Sequence, residues 1–428
     1  MLKTESAPVA NEHLDSAEAI DMDDNSSKLS FVWSLLKKLG SVKDLSGLRL
    51  SLPANLMEPR SNLEFWNYND RPDYFASMGD PENDVERMLH VLRWFLCKDT
   101  KWKSRNPDLR KPYNPVLGEI FRCEWEVDNT PAPTFISESS STPAGPSPKI
   151  RVGCLSEQII HHPPISAFYY ECKEKGVVAR GVDHVAAKFT GTQLKFGAGE
   201  HNPGVFVNLE KWGEEYQMTY PWASVGGWLT GSPYITVSET TVVTCEKSGL
   251  RCIFLYKDEP FFGSAKFAVE GKVYRFDAAT KSLADISKIP ESQVVATLSG
   301  QWNAKVFVKI VATNTEGLLF DLQSSTTAEK ICPPEDLMDQ FESRKLWKGV
   351  TDAIHKKEYG VATKLKREIE EEQRRIRKAR KEPFESRFFT FKTPIIPDDD
   401  NVELNEALAK ERGKPYLKEG VVVKLPTK

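Results

Sequence analysis

Two adjacent imidazoles are the most unusual chemistry in this sequence. His161 and His162 stand in SEQIIHHPPISAF, residues 156–168, directly before Pro163 and Pro164. The prolines fix φ and bias the chain toward extended backbone. Neighbouring side chains on an extended chain point to opposite sides, whereas a turn at HHPP brings both rings to one anion. A zinc site is disfavoured. Glu157 lies four residues before His161, but the Pro-Pro pair argues against the helix that an HExxH-type motif needs. By itself, an HH pair is also an ordinary accident of loop composition.

A second string, RKPYNPVLGE at 110–119, sets Lys111 and Asn114 among two prolines and a glycine. Such a loop is rigid and irregular, and it can hold a lysine in a fixed place or serve as a plain connection. A third set is Lys366, Glu370 and Arg374, spaced i, i+4 and i+8, which lie along one stripe of a helix. Spacing alone makes them a surface salt-bridge ladder. The glutamates interleaved through this stretch argue against a nucleic-acid helix. GxSxG, a P-loop and a strand–GxGxxG–helix unit are all missing, so neither an enzyme nor a cofactor is expected.

The elements that must position these residues are mostly strands. Residues 150–312 carry β-branched and aromatic runs such as SAFYYEC, GVFVNL, LRCIFLY and WNAKVFVKIV, separated by Gly, Asp, Asn or Pro. Many short neighbouring strands predict one large antiparallel sheet, and curling it into a barrel removes exposed edges and leaves room for a ligand. Residues 82–98 have the apolar spacing of an amphipathic core helix, and 335–381 are helical in composition. Residues 1–25 read as a disordered acidic tail and 128–148 as a flexible Pro/Ser/Thr-rich surface insertion. Residues 26–50 begin with a short amphipathic helix, either packed on the core or touching a membrane. Residues 396–428 form a C-terminal tail with little signal.

The totals set limits. Of 428 residues, 58 are basic and 61 acidic, a net charge of −3, so no global field exists to hold nucleic acid or an anionic membrane. The seven cysteines form no CxxC or disulfide framework, and no apolar run is long enough to span a bilayer. A cytosolic protein is expected, peripheral to organelle membranes. Nothing suggests an oligomer, so a monomer is expected.

Taken together, the three strings resemble one family. EQIIHHPPISAF resembles the EQVSHHPP fingerprint of the oxysterol-binding-protein-related family, KPYNPVLGE resembles its KPLNPxLGE segment, and EEEQRRIRK resembles its late charged helix. SGQW at 299–302 and GGWLTGSPY at 226–234 are similar as well. Ile159-Ile160 departs from the usual Val-Ser and leaves the histidines intact. The resemblance implies an α+β fold: an incomplete antiparallel β-barrel with flanking helices, enclosing a lipid tunnel across residues 51–395, with 26–50 as its lid. It implies exchange of phosphatidylinositol 4-phosphate for a second lipid, with head-group contacts at Lys111, Asn114, His161, His162, Lys366, Glu370 and Arg374. The second lipid is a sterol or phosphatidylserine. Lys101 falls where sterol carriers have Gln, and LPANLMEPRSNLE at 52–64 resembles a segment of the phosphatidylserine-carrying branch. A sensor that binds the same phosphoinositide and moves nothing would use the same pocket.

Overall fold

The computed structural model describes residues 54–65, 70–102, 110–136, 147–190, 193–226, 234–259, 266–396 and 406–426. The acidic tail, the lid segment at 26–50 and residues 137–146 of the insertion lie outside this set.

Alternation drives the sheet. In the strand Val294–Gln301, Val294, Ala296 and Leu298 are buried while Val295, Thr297 and Ser299 are turned outward. The first strands are β1 (Met57–Ser61), β2 (Lys111–Tyr113), β3 (Ile120–Asp128), β4 (Lys149–Ile160), β5 (Ile165–Cys172) and β6 (Val177–Asp183). β1 and β2 pair in parallel as a separate ribbon. β3 to β6 are neighbours at one edge of a fifteen-stranded sheet whose other edge is Glu316–Asp321, and every described pairing in it is antiparallel.

The sheet curls. One apolar core joins Phe121 and Trp125 of β3 with Leu319 and Phe320 of the opposite edge strand, around helices α1 (Pro72–Ser77) and α2 (Asp84–Leu96). Asn83 caps α2, accepting from Val85 N at 2.8 Å and Glu86 N at 3.2 Å. Arg87 of α2 then reaches Glu214 on the sheet with two buried bonds of 2.8 and 2.5 Å. The strands and the core helix read from the sequence stand where the pattern put them, in a large antiparallel sheet with flanking helices. Strand pairing leaves it open between its two edges.

The other face of β4 to β6 is covered by late chain. Leu155, Ile165, Ala167 and Val182 pack against Phe389, Ile395 and Val423. Gly153 permits the closest approach, since a Cβ there would meet the Val423 carbonyl oxygen at 2.9 Å. Lys414, itself buried, binds Glu215 at 2.5 Å, and Leu425 N donates to Glu124 Oε1 at 2.9 Å.

Asp183, at the end of β6, accepts from Asn62 Nδ2 at 2.9 Å. Burial pushes its pKa up to about 6, and the Asn62 bond only partly opposes that shift. The folded protein therefore holds a proton that the unfolded chain, near 3.8, has lost. Stability from this group is complete below that value and is lost as pH rises through 6. Asp183→Asn is expected to raise stability at neutral pH by on the order of 2 kcal/mol and to add nothing at pH 4 or below. Thermal melts of both proteins at the two pH values check this, and a gain of equal size at both excludes it.

Candidate functional site

The site grows from two buried glutamates. Glu119 ends KPYNPVLGE and is wholly buried. Its carboxylate accepts from Ser61 Oγ at 2.5 Å, Ser343 Oγ at 2.7 Å, Val116 N at 2.9 Å and Trp347 Nε1 at 2.9 Å. Burial raises its pKa while these four bonds pull the other way. One carboxylate thus ties the Asn114–Gly118 loop to β1, to α3 (Ser343–Leu346) and to the start of α4 (Lys348–His355). Glu157, in the HHPP string, is equally buried and accepts from Ser386 Oγ at 2.5 Å, Arg387 N at 2.9 Å and Phe388 N at 3.2 Å.

The two loops are stitched together between these anchors. Gly118 N donates to Gln158 O at 2.9 Å, and Gln158 N donates to Glu119 O at 2.9 Å. Gly118 needs its φ of +80°, and Phe384 packs so close that an added Cβ would lie 3.1 Å from the ring. Gln158 Nε2 also donates to Ile160 O at 2.7 Å, and the β4–β5 register shifts between Gln158 and Ile160.

That shift delivers the histidines to a turn, residues 161–164, between β4 and β5. The His162–Pro163 peptide bond is cis. The two rings lie 4.5 Å apart with planes at 54°, so the turn, not an extended chain, sets their geometry. His162 is exposed and His161 half-buried. Both rings can serve one anion.

Lys111 opens β2, two residues before Tyr113, whose ring stacks on Trp347 at 4.6 Å and whose hydroxyl meets Thr351 Oγ1 at 3.0 Å. Lys111 keeps solvent access but sits in a crowded hollow. Burial, then the Lys366 cation, pushes its pKa down. Lys366 comes from α5 (Tyr359–Ala379). The buried edge of that helix, Ala362 with Leu365 and Ile369, packs on Val116, Val350 and Ile354. Ala362 is one turn before Lys366, so docking this face buries Lys366 as well, to 6% exposure. Glu370 Oε1 takes its ammonium at 2.7 Å.

The structure therefore pairs Lys366 with Glu370, sets Lys111 within electrostatic reach of Lys366, and places His161 beside His162. Asn114, exposed, sits on the loop stitched between them. Arg374 is exposed on α5, about 12 Å along the axis from Lys366. Spacing alone puts Lys366, Glu370 and Arg374 in a surface ladder, but the outer face of α5 carries other pairs, Lys364–Glu368 at 4.0 Å and Glu372–Arg375 at 2.6 Å. Lys366 does not belong to that surface. Sequence reasoning missed Glu119 and Glu157, although both stand inside the strings it singled out. Neither carries a local signal: Glu119 lies in the loop before β3, and Glu157 stands in β4 between Ser156 and Gln158.

A buried lysine paired with a carboxylate, within electrostatic reach of a second lysine, has the chemistry to receive a multivalent anion, with the carboxylate orienting one cation and able to accept from a hydroxyl. Among the described residues no group of three or more His, Cys, Asp or Glu could hold a metal ion. Among the same residues no helix is long and apolar enough to cross a membrane.

Comparison with known proteins bears on this arrangement. A family model described as oxysterol-binding protein matches residues 31–413. Oxysterol-binding protein-like protein 1 of Schizosaccharomyces pombe is 34% identical over 512 aligned positions, covering 98% of this chain and 97% of that protein. Oxysterol-binding protein-related protein 8 of Mus musculus is 32% identical over 82% of this chain, which spans only 36% of that relative's length. Among solved structures, the Osh1 ORD domain in complex with cholesterol superposes with a TM-score of 0.62 at 21% identity, covering 86% of this chain and 84% of that one. The Osh3 ORD in complex with PI(4)P from Saccharomyces cerevisiae gives 0.61 at 17%, covering 86% and 88%. At these identities the structural likeness speaks for the fold. With a family model across most of its length and a relative of matching length, the chain belongs to the oxysterol-binding protein family.

Proposed function

We propose that this protein exchanges lipids between membranes, binding phosphatidylinositol 4-phosphate by its head group and carrying a second lipid, a sterol or phosphatidylserine, in its place. The observation that carries the reading is the Lys111–Lys366 pair. Burial and then the Lys366 cation push the Lys111 pKa down, an unfavourable arrangement that a phosphate monoester relieves. The histidine turn, stitched to the same loop, offers further donors. Relatives of the same fold solved with cholesterol and with PI(4)P support two kinds of cargo. The gain from enclosure is large, because a sterol of ~27 carbons exposed to water costs on the order of 20 kcal/mol at ~0.8 per carbon. The protein would work from the cytosol, as a monomer that visits organelle membranes.

The test is flux. Donor vesicles with phosphatidylinositol 4-phosphate and acceptor vesicles with a fluorescent sterol or phosphatidylserine are mixed with far less protein than lipid. Countercurrent movement of both lipids is expected, and Lys111→Ala is expected to slow the phosphoinositide arm at least about tenfold, since a hydrogen bond to a charged group contributes about 1.5–3 kcal/mol. Binding without flux would reject exchange and leave a sensor. Mass spectrometry of lipids co-purified with wild type names the second cargo.

A further inference from the structure

The end of α5 and the residues after it read RRIRKARK from Arg374 to Lys381, six cations and no acid in eight residues. Arg374, Arg377, Lys378 and Lys381 are exposed. Among the described ion pairs, the one that takes a cation of this run joins Arg375 to Glu372 at 2.6 Å. Arg380 instead lies over the Phe384 ring, 5.3 Å from its centroid. Upstream on the same helix the acids are answered locally, Glu368 by Lys364 and Glu370 by Lys366. One of the six cations is answered by Glu372, and the positive charge of the rest is concentrated on a chain whose net charge is −3.

Its position matters as much as its charge. The helix that bears it carries Lys366 within electrostatic reach of Lys111, and just beyond it Phe384 packs against Gly118 of the head-group loop. The run thus begins about 12 Å along the helix from Lys366, and the chain after it returns to the head-group loop at Phe384.

We propose that this run is a docking surface for an anionic bilayer, which sets the mouth of the hollow against the membrane. The meaning of that mouth rests on the exchange reading above; the docking itself does not. A bilayer is the better partner than single-stranded nucleic acid, because no aromatic side chain is interleaved in the run to stack on bases. A cation near an anionic leaflet contributes about fivefold in affinity, so removal of three is expected to cost about a hundredfold.

The experiment uses the full chain and the triple variant Arg377→Gln, Lys378→Gln, Lys381→Gln, which keeps good helix formers at exposed positions. Sedimentation is measured with phosphatidylcholine vesicles containing phosphatidylglycerol and no phosphoinositide. Binding of the soluble inositol phosphate head group is measured separately, and circular dichroism checks the fold. The expected result is an approximately hundredfold loss of vesicle binding, restored by the Arg377→Lys, Lys381→Arg control, with head-group affinity unchanged. Vesicle binding equal to wild type overturns the proposal. A matching loss of head-group affinity also overturns it, by assigning the run to the hollow itself. Wild-type capture of a single-stranded RNA as tight as vesicle binding, lost in the variant, overturns the choice of a bilayer. Because the vesicles lack phosphoinositide, failure of the exchange reading leaves this readout intact.

Discussion

Replacement of both His161 and His162 by alanine is expected to lower affinity for phosphatidylinositol 4-phosphate by a hundredfold or more. A charge-assisted hydrogen bond contributes about 1.5–3 kcal/mol, so two of them correspond to roughly a hundred- to ten-thousandfold. The geometry requires both rings together, since they sit 4.5 Å apart on one tight turn. Stability should change little, because one ring is exposed and the other half-buried. Titration with a short-chain phosphoinositide, beside a thermal melt, separates the two effects. Undiminished binding in a folded double variant would remove the histidines from the site.

The same site has a direction in pH. Imidazole is the side chain whose charge changes near neutrality, and a bound phosphate favours its charged form. Lys111, with its pKa already pushed down by burial and by Lys366, is also charged more fully at lower pH. Both effects have one sign, so head-group affinity should fall as pH rises. A flat affinity profile from mildly acidic to alkaline buffer would contradict this.

The second large effect is expected away from the ligand. Glu119→Ala removes the shared acceptor of Ser61, Ser343, Val116 and Trp347 in a place that water does not reach. Stranding several buried donors is expected to cost about 3–5 kcal/mol. It should also loosen the loop that carries Asn114, so head-group affinity falls with stability. Glu119→Gln keeps an acceptor oxygen and should fall between. A melting temperature for Glu119→Ala equal to wild type would show that the carboxylate does not organise the loop.

Much of this protein is written locally. Period-two alternation in runs such as Val294–Gln301 marks strands, because one face of a sheet is buried and the other is not. The apolar spacing of Asp84–Leu96, with Asn83 ahead of it, marks a helix for the same kind of reason. The HHPP and KPYNPVLGE strings could be singled out because proline and glycine restrict the backbone within a few residues. What they hold could not be read that way. Whether two adjacent histidines diverge or converge depends on a turn and a register shift between Gln158 and Ile160.

Lys366 looked like one rung of a surface ladder, and its i,i+4 partner is indeed Glu370. Only the docking of Ala362, Leu365 and Ile369 against Val116 and Ile354 buries it within electrostatic reach of Lys111, and that contact joins distant parts of the chain. Glu119 and Glu157 show the same limit. A glutamate in a motif is locally indistinguishable from one facing water. Each became a structural anchor because partners from remote segments supply its donors, and no short-range pattern encodes them. The sequence by itself determined the elements and the residues able to bind a phosphate. The tertiary structure decided which of those residues share a site, because burial and like-charge proximity belong to the packed chain and not to any segment of it.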